Sequence, residues 1–186
     1  MTTPSQLVET ERLRLRMPEV ADAAALADVL WDPEVVEKKQ VTLHEPPGGL
    51  DLAVKNTESM RRQWALRGYG QWAVVEKATG QVIGCVGFYH PQTPWPGADL
   101  GWAIHRSRWG QGLATEAAAA ALAWAWQATT LERIISLIAP DDLRSIRIAV
   151  KIGERFERSD VDPLNGEPVR VYGLARPPGF SASIAE

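Results

Sequence analysis

The chain of 186 residues has a single cysteine, Cys85, so it cannot form an intrachain disulfide. Its three histidines are scattered, and no Cys/His pair shows the spacing of a metal site. The most apolar stretch, residues 113–131, is broken by Thr, Glu and Gln and is too polar and too short to span a bilayer. The N-terminus has no apolar segment typical of a secretory signal. We therefore predict a cytoplasmic protein that binds no metal and no membrane.

The chain also lacks an excess of positive charge. Its formal net charge is −3, which argues against a broad nucleic-acid-binding role and predicts no nucleic-acid partner. Hydrophobic residues make up 45% of the chain and include eight tryptophans, which is enough to build the core of one globular domain.

Hydrophobic periodicity predicts a mixed α+β domain. Arginine alternates with apolar residues over 11–17, which is typical of a half-buried strand. Helices are predicted to begin near Asp22, Asp51, Gly112 and either Asp141 or Asp142. Further strands are predicted at residues 72–76, 81–89, 99–105, 132–138, 155–158 and 169–174. This order predicts a twisted, largely antiparallel central sheet of about six to seven strands flanked by about four helices.

The most informative segment runs from Arg108 to Ala117. Gly110 and Gly112 lie two positions apart, directly before an alanine-rich helix. Glycines at these positions allow a tight turn that exposes backbone N–H groups. The helix directs the positive end of its dipole at the same place. The segment is therefore predicted to bind a phosphate or a pyrophosphate.

Two common phosphate-binding templates do not fit this segment. A P-loop needs Gly-Lys-Ser/Thr, but here Leu113 and Ala114 follow the second glycine. A dinucleotide fingerprint needs three spaced glycines that open an alternating parallel unit. This segment has only two glycines, Gly110 and Gly112, and they follow a predicted antiparallel meander.

Five segments follow one another in a distinctive order. They are ETERLRLR at 9–16, GQVIG at 80–84, DLGWAI at 99–104, WGQGLATEA at 109–117, and DLRSIR at 142–147 leading to KIG at 151–153. In this order they resemble the GNAT superfamily of acetyl-CoA-dependent N-acetyltransferases, and within it the RimJ/RimL-like branch of ribosomal-protein N-terminal acetyltransferases. The resemblance implies a single acetyltransferase domain over residues 8–176. We expect a flexible N-terminus at 1–7 and a C-terminal tail at 177–186.

The resemblance implies that acetyl-CoA is the co-substrate. The family's cofactor loop, Gln/Arg-x-x-Gly-x-Gly/Ala, is matched by Gly112 and Ala114, with Trp109 at the Gln/Arg position. Main-chain donors of this loop would hold the pyrophosphate, and the backbone of residues 102–104 would pair with the pantetheine arm. Arg106 and Arg108 are either phosphate ligands or solvated arginines. The implied cofactor-binding residues are Trp102, Ala103, Ile104, Arg108, Trp109, Gly110, Gln111, Gly112, Leu113, Ala114, Thr115, Asp142 and Ser145.

The reaction implied is direct acetyl transfer to a primary amine, on a protein N-terminus or a small molecule. The amine must lose a proton to a base, and the departing thiolate benefits from a proton donor. Asp99 is the candidate base, or else a solvated strand-end carboxylate. Ser145 is the candidate that assists the sulfur, or else an ordinary exposed serine. Asp142 stands where the family has Asn and is predicted to act mainly as a helix N-cap.

Two other classes stay open. One is a non-catalytic acyl-CoA-binding module that acts as a sensor or scaffold. The other is a nucleotide-binding protein. Dimerisation is common in this branch, so a homodimer is a further expectation of the resemblance. The family's Gly-Phe after the last helix is replaced here by Gly153-Glu154.

Overall fold

The structure is a computed structural model that describes residues 6–35, 49–89, 97–162 and 166–179. One sheet runs through it in the order β1-β2-β3-β4-β5-β6-β8-β7. Neighbouring strands are antiparallel except β5 and β6, which are parallel, so the predicted α+β class with a largely antiparallel sheet is confirmed. The strands are β1 (Val8–Glu9), β2 (Leu13–Arg16), β3 (Gln71–Glu76), β4 (Val82–Tyr89), β5 (Ala98–Ile104), β6 (Arg133–Ile138), β7 (Arg155–Val161) and β8 (Pro168–Ala175).

The sheet has one strand more than the expected range, because Val8 and Glu9 form a short extra strand beside β2. Of the residues predicted to be a flexible N-terminus, 1–5 lie outside the described residues, and the carbonyl of Gln6 accepts a hydrogen bond from the Trp72 indole at 2.6 Å. Of the predicted tail, residues 180–186 lie outside the described residues.

Four helices of eight or more residues flank the sheet in the described part of the chain. They are α1 (Ala23–Leu30), α2 (Gly49–Arg67), α3 (Leu113–Ala128) and α4 (Leu143–Lys151). Each begins within two residues of its predicted start. A short 3-10 turn at Arg106–Arg108 leads into the glycine loop. None of the described helices is long and apolar enough to cross a membrane.

The two faces of β5 pack against different helices, as the period of two predicts. Leu100, Trp102 and Ile104 belong to the main core with residues of α3. Ala103 packs on the opposite face in a smaller cluster with Cys85 and with residues of α1 and α2. The strand is thus fixed from both sides.

Three tryptophans tie α2, β3 and α3 together at the centre of the main core. The ring centroids of Trp64 and Trp72 are 4.7 Å apart, and those of Trp72 and Trp124 are 4.9 Å apart, both with the edge of one ring towards the other. Edge-to-face pairs contribute roughly 0.5–1.5 kcal/mol each beyond the burial of their area. Through Trp124 this cluster holds α3 against the sheet.

The strands β5 and β6 part soon after they meet. They pair at two positions, Ala98 with Ile134 and Asp99 with Ile135. Two side-chain bonds then continue the link: the Ser136 hydroxyl contacts the Leu100 carbonyl at 2.8 Å, and the Leu137 N–H donates to Asp99 Oδ1 at 3.3 Å. Beyond this point no described strand pairs with the β6 side of β5. The sheet therefore opens into a gap.

Candidate functional site

A cleft of about 410 Å³ lies between the end of β5, the glycine loop, the first turn of α3 and α4. Every residue predicted from the resemblance to bind the cofactor lines this cleft, with the exception of Gln111. The structure therefore brings together segments that are separated in the chain. Six further residues line the cleft and were not singled out from the sequence: Glu34, Val35, Arg144, Arg147, Ile148 and Lys151.

The glycine loop has a backbone shape that other residues rarely adopt. Gly110 and Gly112 both have a φ of +77°, in the left-handed region. A Cβ added at Gly110 would meet no described atom within 4 Å, and one added at Gly112 would meet Arg12 Nη2 at 3.7 Å. The glycines are thus required by the turn rather than by crowding, and the space in front of the loop is open.

Helix α3 begins at the cleft without a side-chain cap. Gly112 is its N-cap and has no side chain to offer. Glu116 N–H is bonded to the Gly112 carbonyl at 3.0 Å. The N–H groups of Leu113, Ala114 and Thr115 precede the first helical hydrogen bond, and all three residues line the cleft. These donors and the helix dipole suit an anionic group such as a diphosphate.

The glycine loop is braced from behind by the start of the chain. Glu116 accepts hydrogen bonds from the Thr10 hydroxyl and from Arg12 N and Nε, the last two at 3.0 and 2.6 Å. Arg12 Nη1 also donates to the Gln111 carbonyl at 2.8 Å. Burial disfavours the charged form of Glu116, but the hydrogen bonds from Thr10 and Arg12 outweigh it and hold the pKa of that carboxyl below its usual value. Gln111 therefore supports the loop from outside the cleft.

Trp109 anchors the loop to the end of β5. Its indole N–H donates to the Ile104 carbonyl at 2.6 Å. The guanidinium of Arg144 lies 3.9 Å from the centroid of the Trp109 ring, a cation–π contact. Arg144 Nη2 also lies 3.6 Å from Glu34 Oε2, across the cleft mouth. A large flat side chain at this position thus supports both the loop and a cation on α4.

Basic side chains outnumber acidic ones in the cleft lining. The acidic ones are Glu34 and Asp142. Arg108 forms a two-pronged ion pair with Glu76, with both N–O distances at 3.0 Å. Hydrogen bonds from Arg108 lower the pKa of Glu76. The remaining basic residues, Arg144, Arg147 and Lys151, all come from α4. Their helical spacing was visible in the sequence and could have identified a basic face.

Asp142 acts as the N-cap of α4, as predicted. Its Oδ1 accepts a hydrogen bond from Ser145 N–H at 3.0 Å. The same bond orients the first turn, and Ser145 lines the cleft there. Replacement of Asn by Asp at this position keeps the cap, because either side chain has an oxygen that accepts.

Asp99 lies at the foot of the gap between β5 and β6, outside the cleft lining. It is half-buried, it lies opposite Tyr89 in the β4–β5 pairing, and its Oδ1 accepts from Leu137 N–H. The structure thus places the two candidate catalytic residues at different points, with Ser145 on the cleft wall and Asp99 where the strands part.

Together, the split sheet and the uncapped helix end define an α+β protein with a cleft between the end of β5, the glycine loop and α4. The model of the family described as "Acetyltransferase (GNAT) domain" matches residues 12–155, so the chain belongs to the GNAT acetyltransferase family. It is 28% identical over 166 residues to a protein of Bacillus licheniformis named "Uncharacterized N-acetyltransferase p20", covering 88% of this chain and 91% of that protein.

Two solved structures illustrate how widely the fold is shared. An acetyltransferase from Agrobacterium tumefaciens has a TM-score of 0.75 at 27% identity and covers 94% of this chain and 96% of its own. RimL, a ribosomal L7/L12 alpha-N-protein acetyltransferase solved in complex with coenzyme A, has a TM-score of 0.69 at 15% identity. That alignment covers 91% of this chain and 97% of RimL.

Proposed function

We propose that this chain is an acetyl-CoA-dependent N-acetyltransferase that moves an acetyl group directly to a primary amine of a protein N-terminus or a small molecule. The observation that carries the proposal is the uncapped start of α3, where Leu113, Ala114 and Thr115 face the cleft behind two left-handed glycines. Membership of the GNAT family supports acetyl transfer.

The residues present fit the proposed co-substrate. The N–H groups of residues 112–115 would hold the pyrophosphate, and the cations of α4 would meet the remaining phosphate charge. The open edge of β5 at Trp102 would pair with the pantetheine arm. The backbone groups of Ala103 are directed towards β4 and the Ile104 carbonyl already accepts from the Trp109 indole, so we assign this pairing to the N–H and carbonyl of Trp102 and the N–H of Ile104.

In the proposed reaction, a C–N bond forms to the amine and the C–S bond of the acetyl thioester breaks. The amine has to arrive neutral, so its proton passes to a base, and the sulfur gains a proton as it leaves. We assign the base to Asp99, directly or through a water, because its carboxylate lies at the foot of the gap. We assign support of the sulfur to Ser145, because it lines the cleft.

Release of free thiol from acetyl-CoA across a panel of amines and N-terminal peptides tests the proposal. We expect turnover with at least one acceptor, and thermal stabilisation by acetyl-CoA that exceeds that by ATP or NAD. Tight acetyl-CoA binding without thiol release on any acceptor would instead favour a sensor or scaffold. Stronger stabilisation by ATP or NAD would favour a nucleotide-binding protein.

A further inference from the structure

A buried carboxyl group lies beside the point where β5 and β6 part. Glu154 follows α4 and is 2% exposed. Its Oε1 lies 3.0 Å from the Ser136 hydroxyl oxygen, which in turn lies 2.8 Å from the Leu100 carbonyl oxygen. Its Oε2 is buried and has no hydrogen-bond partner among the described residues. Glu154, Ser136 and Leu100 therefore form a chain that crosses from the end of α4 through β6 to β5.

The number of hydrogens available to Glu154, Ser136 and Leu100 determines whether Glu154 is protonated. The Ser136 hydroxyl has one hydrogen, and the Leu100 carbonyl can only accept. When Ser136 donates to Leu100, the contact between Ser136 and Glu154 needs a second hydrogen, which only a protonated Glu154 can supply. Both short contacts are therefore satisfied together when Glu154 is a neutral acid.

The surroundings of Glu154 favour the same neutral form. Burial of its side chain is the main cause, and the negative charges of Asp99 on β5 and Glu157 on β7 add to it. Glu157 is itself ion-paired with Arg133 of β6. The hydrogen bond that Ser136 can donate to the charged carboxylate acts in the opposite direction, and the net effect raises the pKa of Glu154 to about 8.

The link that Glu154 supports has a specific place in the fold. The β5–β6 ladder ends at Asp99 and Ile135, and the Ser136–Leu100 bond is the next connection. The backbone of β5 then continues as one wall of the cleft, through Trp102. A change at Leu100 therefore acts on the strand edge two residues further on.

On the basis of the proposed function, we propose that Glu154 is a positioning residue whose neutral acid holds Ser136 on Leu100 and so sets the edge of β5 that receives acetyl-CoA. Loss of the proton from Glu154 turns the Ser136 hydroxyl towards the carboxylate and releases the Leu100 carbonyl. The Ser136–Leu100 bridge is then broken, while the Leu137–Asp99 bond and the two-position ladder remain. The edge of β5 beyond Leu100 is no longer held, and acetyl-CoA affinity falls.

The test compares the wild type with Glu154→Gln. The amide has the shape of the acid and donates to Ser136, but it does not titrate. Ser136→Ala is the second variant, because it removes the bridge at every pH. Acetyl-CoA affinity is measured calorimetrically between about pH 6.5 and pH 9.5, and stability is measured by urea unfolding between about pH 5 and pH 9.

We expect the acetyl-CoA affinity of the wild type to fall by up to roughly tenfold by about one pH unit above the titration of Glu154. The affinity of Glu154→Gln should not change over the same range. Ser136→Ala should bind weakly throughout. Because the folded pKa lies above the unfolded value, wild-type stability relative to Glu154→Gln should decline from about pH 5 to pH 8. This second readout does not depend on any ligand.

A stability difference that is constant with pH would overturn the protonated state and the inference with it. Binding with the same pH profile in the wild type and Glu154→Gln would overturn the coupling to the cleft. Absence of acetyl-CoA binding in all three folded proteins at every pH would overturn the proposed function instead, and with it the positioning role. The two failures are therefore distinguishable.

Discussion

Glu116 and Arg12 lie 104 positions apart in the chain, yet Arg12 Nε donates to Glu116 Oε2 at 2.6 Å. Another nitrogen of the same guanidinium donates to the Gln111 carbonyl in the glycine loop. The segment between β1 and β2 thus braces the loop and the first turn of α3 at the same time. The shape of the cleft depends on a residue that lies far outside the loop motif.

Glu116→Ala is expected to destabilise the fold and loosen the loop. The change leaves the Thr10 hydroxyl and two donors of Arg12 without their acceptor. Because the Arg12 donors are exposed and can bind water instead, the free energy of unfolding should fall by roughly 0.5–1.5 kcal/mol, measured with urea. Glu116→Gln keeps one accepting oxygen and should lose less. Equal stability of Glu116→Ala and the wild type would show that the brace contributes nothing.

The carboxylate of Glu116 also predicts that the stability of the protein depends on acidic pH. Its pKa in the folded state is below the ordinary value of 4.5, so its stabilisation is complete above that value and is lost as the pH falls through the lower folded pKa. The stability advantage of the wild type over Glu116→Gln should therefore shrink below about pH 4.5. Unfolding curves measured across this range check the sign, and an advantage that grows in acid would contradict it.

Gly112→Asp is expected to weaken acetyl-CoA binding. The substitution places a negative charge at the start of α3, where the pyrophosphate is proposed to lie. Gly112→Asn is the matched control, since Asn has nearly the same size, tolerates a positive φ and adds no charge. Affinity for the Asp variant should be at least tenfold lower than for the Asn variant, or about 1.4 kcal/mol. Equal affinities in two folded variants would overturn the placement of the pyrophosphate.

Arg144→Ala is expected to raise the KM for acetyl-CoA several-fold. Arg144 lines the cleft, where it is proposed to meet phosphate charge, and loss of one such partly exposed charge pair costs roughly 0.2–1 kcal/mol. Arg62→Ala makes the same change of charge on α2, outside the cleft lining, and should leave the KM unaltered. Similar KM values for both variants would show that only overall charge matters.

Asp99→Asn separates a catalytic carboxylate from a structural one. The amide oxygen can still accept from Leu137 N–H, so the link between β5 and β6 at this point should be preserved. If Asp99 is the base, kcat should drop by roughly 10²–10⁴-fold. The KM for acetyl-CoA should hold, because Asp99 does not line the cleft. Full turnover by this variant would leave Asp99 as a strand-end residue.

Ser145→Ala tests the other assigned group. The bond that caps α4 comes from the Ser145 backbone, so removal of the hydroxyl leaves the cap intact. We expect kcat to fall with the KM for acetyl-CoA little changed, and the loss to be smaller with acceptors that react slowly at the amine step. A wild-type kcat with every acceptor would make Ser145 an ordinary wall residue.

Local features of this chain could be predicted because their causes are local. Asp142 caps α4 since its side chain reaches an N–H three residues ahead. The period of two placed Leu100, Trp102 and Ile104 on one face of β5. The left-handed turn followed from the spacing of Gly110 and Gly112. In each case the partner lies within a few positions of the residue.

Features that join distant segments could not be predicted in the same way. The stacking of Arg144 on Trp109 depends on how α4 packs beside the loop, and no pattern of neighbours encodes that distance. From the sequence, Glu154 is only a replacement of the phenylalanine that the family has after α4, which removes an apolar side chain. Its role at Ser136 became visible only once β6 was in place beside it.

The two-position pairing of β5 with β6 makes this sheet mechanically two parts, with β1 to β5 on one side and β6, β8 and β7 on the other. A ligand that makes main-chain hydrogen bonds along the open edge of β5 would connect the two parts of the sheet where β5 and β6 separate. It would slow relative motion of the two parts more than it would stiffen either part. Amide hydrogens of residues 135–138 should then gain the most protection from exchange on binding. Hydrogen exchange in this part of β6 would therefore report whether the cleft is occupied.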